Sequence, residues 1–296
     1  MDRGLSGWIN GFIGVLIFSG SLPATRMAVI GFDPLFLTVA RGTIAGLLAL
    51  CLLMLFREKR PSGRDIAALA VIALGVVVGF PLLTAIALQH ITSAQSIVYI
   101  GLLPLSTAIF GVLRGGERPK PAFWLFAVIG AALVTGYALV RGGGSDGTEA
   151  TVLGLSLGGW LMLGAIVACG YGYAEGAALS KRLGGWQVIC WALVIALPVM
   201  LVATFAFMPA SFEGVSAPAY AGLAYVSLFS MLIGFIFWYR GLSQGGTASV
   251  GQLQLLQPFF GLALAAVLLG ETVTPAMFAV TLGVIACVAA ARRFAR

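Results

Sequence analysis

Polar side chains recur at steps of three or four residues along one apolar stretch of the sequence, which places them in a single stripe if the stretch is helical. The members of this stripe are Thr92, Gln95, Ser96, Tyr99 and Ser106. A second apolar stretch carries a matching stripe of Thr247, Gly251, Gln254, Gln257 and Gly261. Amides and hydroxyls in such stripes either line a solute cavity or join neighbouring helices by hydrogen bonds. The candidates for a substrate cavity are Tyr99, Gln95, Gln254 and Gln257.

Glu175 and Arg41 lie well inside apolar stretches, where an ionisable group is costly and is a functional candidate. Glu175 follows Tyr171 by one helical turn, and both are candidates for the cavity. There Glu175 would act as a proton carrier or as the counter-charge of a cationic substrate; the alternative is an ion pair with Lys181 or Arg182. Arg41 is a candidate to contact either a substrate carboxylate or a helix C-terminus, and the second, structural role is favoured.

A kink with aromatic neighbours is predicted at the motif GFP, residues 79–81. Pro81 interrupts the hydrogen bonds of a helix, and Phe80 and Thr84 lie beside it. Rings next to a kink either accept a flat apolar ligand or fill the core. Trp238, in the run FIFWYR, is the last candidate for the cavity.

The composition identifies a membrane protein. The chain of 296 residues is 60% hydrophobic and 9% charged, whereas soluble domains carry about 25% charged residues. A soluble fold is excluded because too little polar surface is available to cover the core. The four cysteines lie in apolar runs and indicate neither disulfides nor a metal site. No Walker motif occurs, and we predict no cofactor, metal or catalytic residue.

Ten apolar runs are long enough to cross a bilayer as helices, since a span needs about 20 residues. They are residues 8–29, 34–56, 65–88, 92–113, 121–140, 158–180, 186–207, 218–239, 247–269 and 274–291. The predicted fold is therefore an all-α integral membrane protein with ten transmembrane helices.

Lysine and arginine are concentrated in alternate connections between these runs. This side holds Arg3, Arg57, Lys59, Arg60, Arg64, Arg114, Arg118, Lys120, Lys181, Arg182, Arg240, Arg292, Arg293 and Arg296, whereas the other side holds Arg26 and Arg141. The net charge of +7 thus reports membrane orientation rather than nucleic-acid binding. By the positive-inside rule we predict a multi-pass protein of the plasma (inner) membrane with both termini in the cytoplasm.

The chain also repeats itself. A shift of 154 residues aligns Pro104 with Pro258 and Glu117 with Glu271. Each copy then holds five runs, and because five is odd the second copy is inverted in the membrane, as in many secondary transporters. We predict an N-terminal five-helix repeat at 1–141, a Gly-rich linker at 142–150 and an inverted C-terminal repeat at 151–296.

Gly-Glu follows the fourth run of each copy, and a proline opens the fifth. Gly116 suits the left-handed end of a helix, and Glu117 lies near the positive end of the next helix. We interpret Glu117 and Glu271 as structural charges at opposite membrane surfaces. The helix-bending positions are Pro81, Pro104 and Pro258.

The segments LLPLSTAIFGVLRGGERPKP and LLQPFFGLALAAVLLGETVTP, each with a proline and then Gly-Glu, resemble the drug/metabolite transporter superfamily, EamA type. The segment GFDPLFLTVARG (31–42) is similar to the same family, with Arg41 at its usual position. The resemblance implies about ten helices in two repeats, and within the superfamily the chain is most similar to YddG-like amino-acid exporters. It departs from the pattern in 158–207, where the shift places Ile195 opposite Arg41.

The predicted function is that of a secondary transporter that exports amino acids, including aromatic ones, and related small metabolites by alternating access. Efflux of small cationic or aromatic drugs is the alternative, because of Glu175. A membrane-embedded enzyme is disfavoured since paired catalytic groups are lacking, and a channel is disfavoured because prolines interrupt the polar stripes. The predicted partners are a small-molecule substrate and the lipid bilayer, with no nucleic acid.

Overall fold

The computed structural model describes residues 3–115, 120–142, 155–245 and 251–294. Within these ranges the backbone is helical and contains no β-strand. The α-helices are α1 (Arg3–Ser19), α2 (Ser21–Val29), α3 (Pro34–Leu55), α4 (Gly63–Ile72), α5 (Phe80–His90), α6 (Ser93–Ile100), α7 (Leu103–Gly115), α8 (Pro121–Gly142), α9 (Leu157–Leu183), α10 (Gly185–Ala206), α11 (Ala217–Tyr225), α12 (Gly234–Gly245), α13 (Gln257–Leu269) and α14 (Pro275–Arg293). The predicted all-α class is confirmed.

In the described part of the chain, six helical stretches are long and apolar enough to cross a membrane. They are Leu5–Val29, Pro34–Leu55, Gly63–His90, Leu157–Leu183, Gly185–Ala206 and Ala217–Gly241. Shorter apolar helices occur at Pro121–Gly130, Gln257–Leu269 and Pro275–Cys287. The chain is therefore a multi-pass membrane protein, and the count of ten spans stays a prediction.

Two of the predicted spans are interrupted near their middle. α6 and α7 are separated by a turn at Gly101 and Leu102, and a 3-10 helix at Gly251–Leu256 leads into α13. Pro104 and Pro258 are the second residues of α7 and α13. At that position a missing N–H costs no helical hydrogen bond. Each proline therefore lies in the first turn of a new helix rather than in the interior of a continuous one.

Two other spans widen into π-helix, in which each N–H bonds to the carbonyl five residues back. The first π segment, Ala73–Gly79, joins α4 to α5, and the second, Val226–Ile233, joins α11 to α12. Pro81 follows the first segment as the second residue of α5. The irregularity predicted at GFP thus takes the form of a wide helical turn before the proline. The last residues of the two segments, Gly79 and Ile233, differ by the shift of 154 residues that relates the predicted repeats.

The connection between α13 and α14 holds the start of α6. Gly270 has a φ of 64°, a left-handed conformation that closes α13. The carboxylate of Glu271 accepts hydrogen bonds from the N–H groups of Ser93 (3.1 Å) and Ala94 (2.7 Å) and from the Ser93 hydroxyl (2.9 Å). Glu271 therefore stabilises the N-terminus of α6, where the helix dipole favours a negative charge. Glu117 lies outside the described residues.

The most extensive helix contacts join the N-terminal half (1–141) to the C-terminal half (151–296). α1 packs along α12, α3 along α10 and α8 along α14, while α5 and α7 both pack along α9. Small residues permit the closest approach, as is common between helices in membranes. A β-carbon at Gly241 would lie 2.6 Å from the backbone nitrogen of Gly11, so α12 approaches α1 this closely only with glycine there. The two halves are thus interlocked.

Candidate substrate site

A narrow cavity lies between the two halves, beside the helix breaks and both π segments. Its lining comes from helices of both halves and consists of Phe18, Ser21, Leu22, Arg41, Val76, Phe80, Pro81, Ile100, Leu103, Cys169, Tyr173, Ser230, Met231, Phe235 and Gln257. The space between these side chains suits only molecules the size of water. A larger solute therefore requires the helices to move apart.

Arg41 supplies the charge in the cavity, and the start of α3 fixes the position of Arg41 along the helix axis. Asp33 caps α3 by accepting hydrogen bonds from the N–H groups of Leu35 (2.8 Å) and Phe36 (3.2 Å), and Pro34 occupies the first helical position. Arg41 lies seven residues after Pro34, about 10 Å along the helix axis. Among the lining residues in the described part of the chain, it alone carries an ionised side chain.

Two serines lie next to the guanidinium. Arg41 is 4% exposed, and its Nη2 donates a hydrogen bond to Ser230 Oγ at 3.3 Å. Ser230 Oγ lies 2.5 Å from Ser21 Oγ. Arg41 Nε is buried and makes no hydrogen bond to the described residues. The guanidinium and both hydroxyls thus form one continuous polar surface.

Aromatic rings cover much of the remaining cavity wall. The rings of Phe18 and Phe235 meet edge to face with centroids 4.8 Å apart, and Tyr173 lies 5.9 Å from Phe235. Phe80 adds a further ring, and Gln257 adds an amide at the first residue of α13. The cavity combines one positively charged polar region with aromatic walls.

The shift of 154 residues relates several lining positions to each other. The pairs are Val76 with Ser230, Pro81 with Phe235, and Leu103 with Gln257. Both halves therefore contribute equivalent positions, but polar side chains occupy only the C-terminal member of two pairs. The cavity is correspondingly asymmetric in polarity.

Of the residues predicted to line a cavity, the structure places Phe80 and Gln257 in this lining, together with Pro81, which was predicted to bend its helix. It also places Arg41 there, although the sequence analysis assigned Arg41 a structural role. In the sequence Arg41 lies seven residues into its span, and the favoured contact was the C-terminus of a neighbouring helix. Packing of the second π segment against α3 brings Ser230 to it instead.

Three other predicted cavity residues have different surroundings. Tyr99 is buried with its hydroxyl against α9, so that a β-carbon at Gly159 would lie 2.7 Å from it. Gln95 forms a capping box with Thr92: its Oε1 accepts the Thr92 N–H at 2.9 Å, and its own N–H donates to Thr92 Oγ1 at 3.1 Å. The Thr84 hydroxyl donates to the carbonyl four residues earlier in α5 at 2.8 Å. None of the three lines the cavity described above.

The two aromatic candidates pack against other helices. Tyr171 has its ring centroid 5.2 Å from that of Phe110 on α7. Trp238 is buried, and its backbone lies so close to α1 that a β-carbon at Gly14 would be 3.1 Å away. The structure therefore does not bring Tyr99, Tyr171 and Trp238 together in the lining of this cavity.

Glu175 and Gln254 are buried outside this lining. Gln254 Nε2 makes no hydrogen bond to the described residues. The ion pair of Arg182 is formed with Asp65 at the start of α4. The alternative in which Glu175 pairs with Lys181 or Arg182 stays a prediction.

Sequence reasoning did not single out Ser21 and Ser230. Each is one small hydroxyl in an apolar helix, a pattern that usually indicates helix contacts. One signal was usable, because the shift of 154 residues aligns Ser21 with Glu175, another polar residue within a span.

Membrane-spanning helices that break beside a cavity between two interlocked halves are typical of transporters. The chain belongs to the EamA-like transporter family, whose model matches residues 5–139 and 156–292. The same model thus matches each half of the chain.

Several known proteins are similar along most of their length. The chain is 64% identical over 296 residues to the uncharacterized transporter YdeK of Bacillus subtilis, with 100% of both chains covered. It is 24% identical to the "Probable terminal-alkyne amino-acid exporter" of Streptantibioticus cattleyicolor, covering 88% of this chain and 84% of the relative. It is 27% identical to an S-adenosylmethionine/S-adenosylhomocysteine transporter of Chlamydia trachomatis, covering 93% and 86%.

A solved structure described as "Crystal structure of protein" has the same fold. It matches with a TM-score of 0.61 at 19% identity and covers 97% of this chain and 96% of that chain. At this identity the match supports the fold alone.

Proposed function

We propose that the protein is a secondary transporter that exports amino acids, including aromatic ones, and related small metabolites across the plasma membrane by alternating access. In this proposal residues 1–141 and 151–296 are inverted repeats of five spans each, joined by residues 142–150. Both termini are cytoplasmic. Within the family, the YddG-like amino-acid exporters are the proposed functional relatives.

The observation that carries the proposal is the place of the cavity. Transporters built from inverted repeats bind their substrate between the repeats, where interrupted helices offer backbone groups and bend. Here the cavity lies between the two halves, at the last residue of α6 and the first residues of α7 and α13. A site at that place is reached from either side of the membrane if one half rotates against the other.

The π segments support the proposed motion. A π turn holds one residue more than an α turn, and such turns are frequent at functional sites. Val76 in the first segment and Ser230 in the second both line the cavity. We infer that rearrangement of these turns shifts the ends of α5 and α12 when the cavity opens.

The chemistry of the lining supports an amino acid as substrate. Phe18, Phe80 and Phe235 offer apolar walls to an aromatic or aliphatic side chain. Two relatives are named for substrates, amino acids and S-adenosylmethionine/S-adenosylhomocysteine, that share an α-amino-carboxylate group. Efflux of cationic drugs is less well supported, because the charge in this lining is the positive one of Arg41.

Counterflow in proteoliposomes tests the proposal. Vesicles are loaded with unlabelled phenylalanine, leucine, glutamate or a quaternary amine, and entry of the same labelled compound is followed. We expect transient accumulation of the neutral amino acids that saturates with concentration, and none in vesicles without protein. Accumulation of quaternary amines alone would support drug efflux, and uptake that rises linearly without counterflow would indicate a channel. A lack of counterflow with every amino acid would overturn the proposed substrate.

A further inference from the structure

We propose that Arg41, Ser21 and Ser230 form a subsite for the carboxylate of the substrate. The inference rests on the proposed function and specifies how that site recognises its substrate. The ligands that it defines are monocarboxylates with an apolar or aromatic body, with or without an ammonium group.

Arg41 has hydrogen-bonding capacity that its neighbours do not meet. A guanidinium stays ionised in proteins and has five N–H donors. Arg41 is 4% exposed, its Nε makes no hydrogen bond to the described residues, and its neighbours in the cavity lining carry no negative charge there. A buried charge is stable only with partners, so an anion at this place would supply both the counter-charge and the missing acceptor.

The two serine hydroxyls offer a further donor to a bound carboxylate. Arg41 Nη2 donates to Ser230 Oγ, which leaves the Ser230 proton available for Ser21 Oγ at 2.5 Å. In that arrangement the Ser21 proton is available for a ligand oxygen. A carboxylate has two acceptor oxygens, so one can face the guanidinium while the other accepts from Ser21.

A contrasting arginine in the same half shows a structural arrangement. Arg26, on α2, donates from Nη1 to the backbone carbonyl of Leu88 in the last turn of α5. There the guanidinium satisfies a helix C-terminus, where a positive charge is stabilising. Arg41 makes its contact with a side chain of the cavity instead.

The size of the charge favours a carboxylate over a phosphate. One guanidinium balances the single charge of a carboxylate, whereas a phosphate monoester carries about two at neutral pH. α7 and α13, of 13 residues each, also begin at the cavity with Leu103 and Gln257, and their N-termini add partial positive charge. The aromatic walls then hold the apolar body of the ligand.

Competition against phenylalanine counterflow tests the subsite. The competitors are 3-phenylpropionate, which keeps only the carboxylate, and phenethylamine, which keeps only the ammonium. Phenylalaninamide lacks the carboxylate charge. We expect 3-phenylpropionate to compete and the other two to be weaker by about tenfold or more, since hydrogen bonds to charged groups are the strong ones. Binding is measured separately as the rise in melting temperature that each compound causes in detergent.

Three variants assign the effect to residues. Arg41→Gln should weaken competition and stabilisation by 3-phenylpropionate about tenfold or more, and Ser21→Ala about three- to tenfold, with phenethylamine unchanged. Arg26→Gln removes an equivalent charge outside the cavity and should leave the preference intact. If Arg41→Gln does not fold, the result for Ser21→Ala decides whether the subsite exists. This variant should fold, because Ser230 still accepts the hydrogen bond of Arg41.

The outcomes separate this inference from the proposed function. Counterflow of amino acids with equal competition by carboxylate and amine would overturn the subsite and leave the transporter intact. Stabilisation by 3-phenylpropionate that depends on Arg41, without any counterflow, would support the subsite and overturn the proposed transport. If no carboxylate in the panel stabilises the protein or competes, the subsite is wrong.

Discussion

Replacing Glu271 by alanine should destabilise α6 measurably. The first four N–H groups of a helix have no partner within it. In α6 the Thr92 and Gln95 N–H groups are satisfied by their capping box, and those of Ser93 and Ala94 by Glu271. Glu271→Ala leaves those two donors without an acceptor, and Ser93 and Ala94 are fully buried, so water does not replace it readily.

The magnitude follows from the two backbone donors that lose their acceptor. An unsatisfied buried donor costs about 1–3 kcal/mol, and loss of a helix cap about 0.5–2 kcal/mol. For two donors on one cap we expect a loss of about 2–4 kcal/mol. At roughly 2–4 °C per kcal/mol for chains of 150–250 residues, the melting temperature should fall by about 4–16 °C. Glu271→Gln keeps one acceptor oxygen and should show a smaller fall.

Thermal unfolding in detergent can be followed with a thiol-reactive dye. Cys169, Cys190 and Cys287 are buried and react on unfolding, whereas Cys51 is exposed and should be replaced by serine in all variants. The control is Glu213→Ala, which removes an exposed glutamate between α10 and α11. If Glu271→Ala melts at the same temperature as Glu213→Ala, the carboxylate does not hold α6 and the reasoning fails.

Two other predictions follow from packing and charge. Gly241→Ala should lower the melting temperature strongly, because the new β-carbon would lie 2.6 Å from backbone of Gly11 that cannot rotate away; overpacking of this kind costs about 1–3 kcal/mol or more. Gly63→Ala, with nothing within 4 Å, is the matched control, and equal melting of both variants would contradict the tight contact of α1 with α12. A reporter that works only in the cytoplasm should be active when it is fused after Arg296, since lysine and arginine concentrate on that side of the membrane. Activity of a reporter that works only outside the cytoplasm would reverse the predicted orientation.

Features that depend on a few consecutive residues could be predicted from the sequence. Pro104 and Pro258 were predicted to bend their helices and instead begin new ones, which proline permits because it lacks an N–H. Gly270 ends a helix because glycine tolerates a positive φ. The capping box of Thr92 and Gln95 could also be predicted from the sequence, since threonine three residues before glutamine is its signature. Interpreting Gln95 as part of a polar stripe overlooked that local use of its amide.

The site itself depends on residues that are distant in the chain. Ser230 lies 189 residues from Arg41 and 209 from Ser21, and Glu271 lies 178 from Ser93. Helical periodicity shows that residues share a face, but it does not show which helix that face meets. For Tyr99 it identified a polar stripe, whereas the packing of α6 near α9 set the hydroxyl against Gly159.

The sequence by itself determined the membrane class, the helical secondary structure and the outer ends of most apolar runs, because these depend on composition and on hydrogen bonds between near neighbours. Only the tertiary structure decided that Arg41 faces the cavity and that α4–α5 and α11–α12 each widen into a π turn. The physical reason for this division is that the solvent around the helices is lipid. In a bilayer an apolar face is equally suited to lipid and to another helix, so hydrophobicity does not distinguish inside from outside. The partner of each face is then chosen by close packing of small residues such as Gly241 and by a few buried hydrogen bonds.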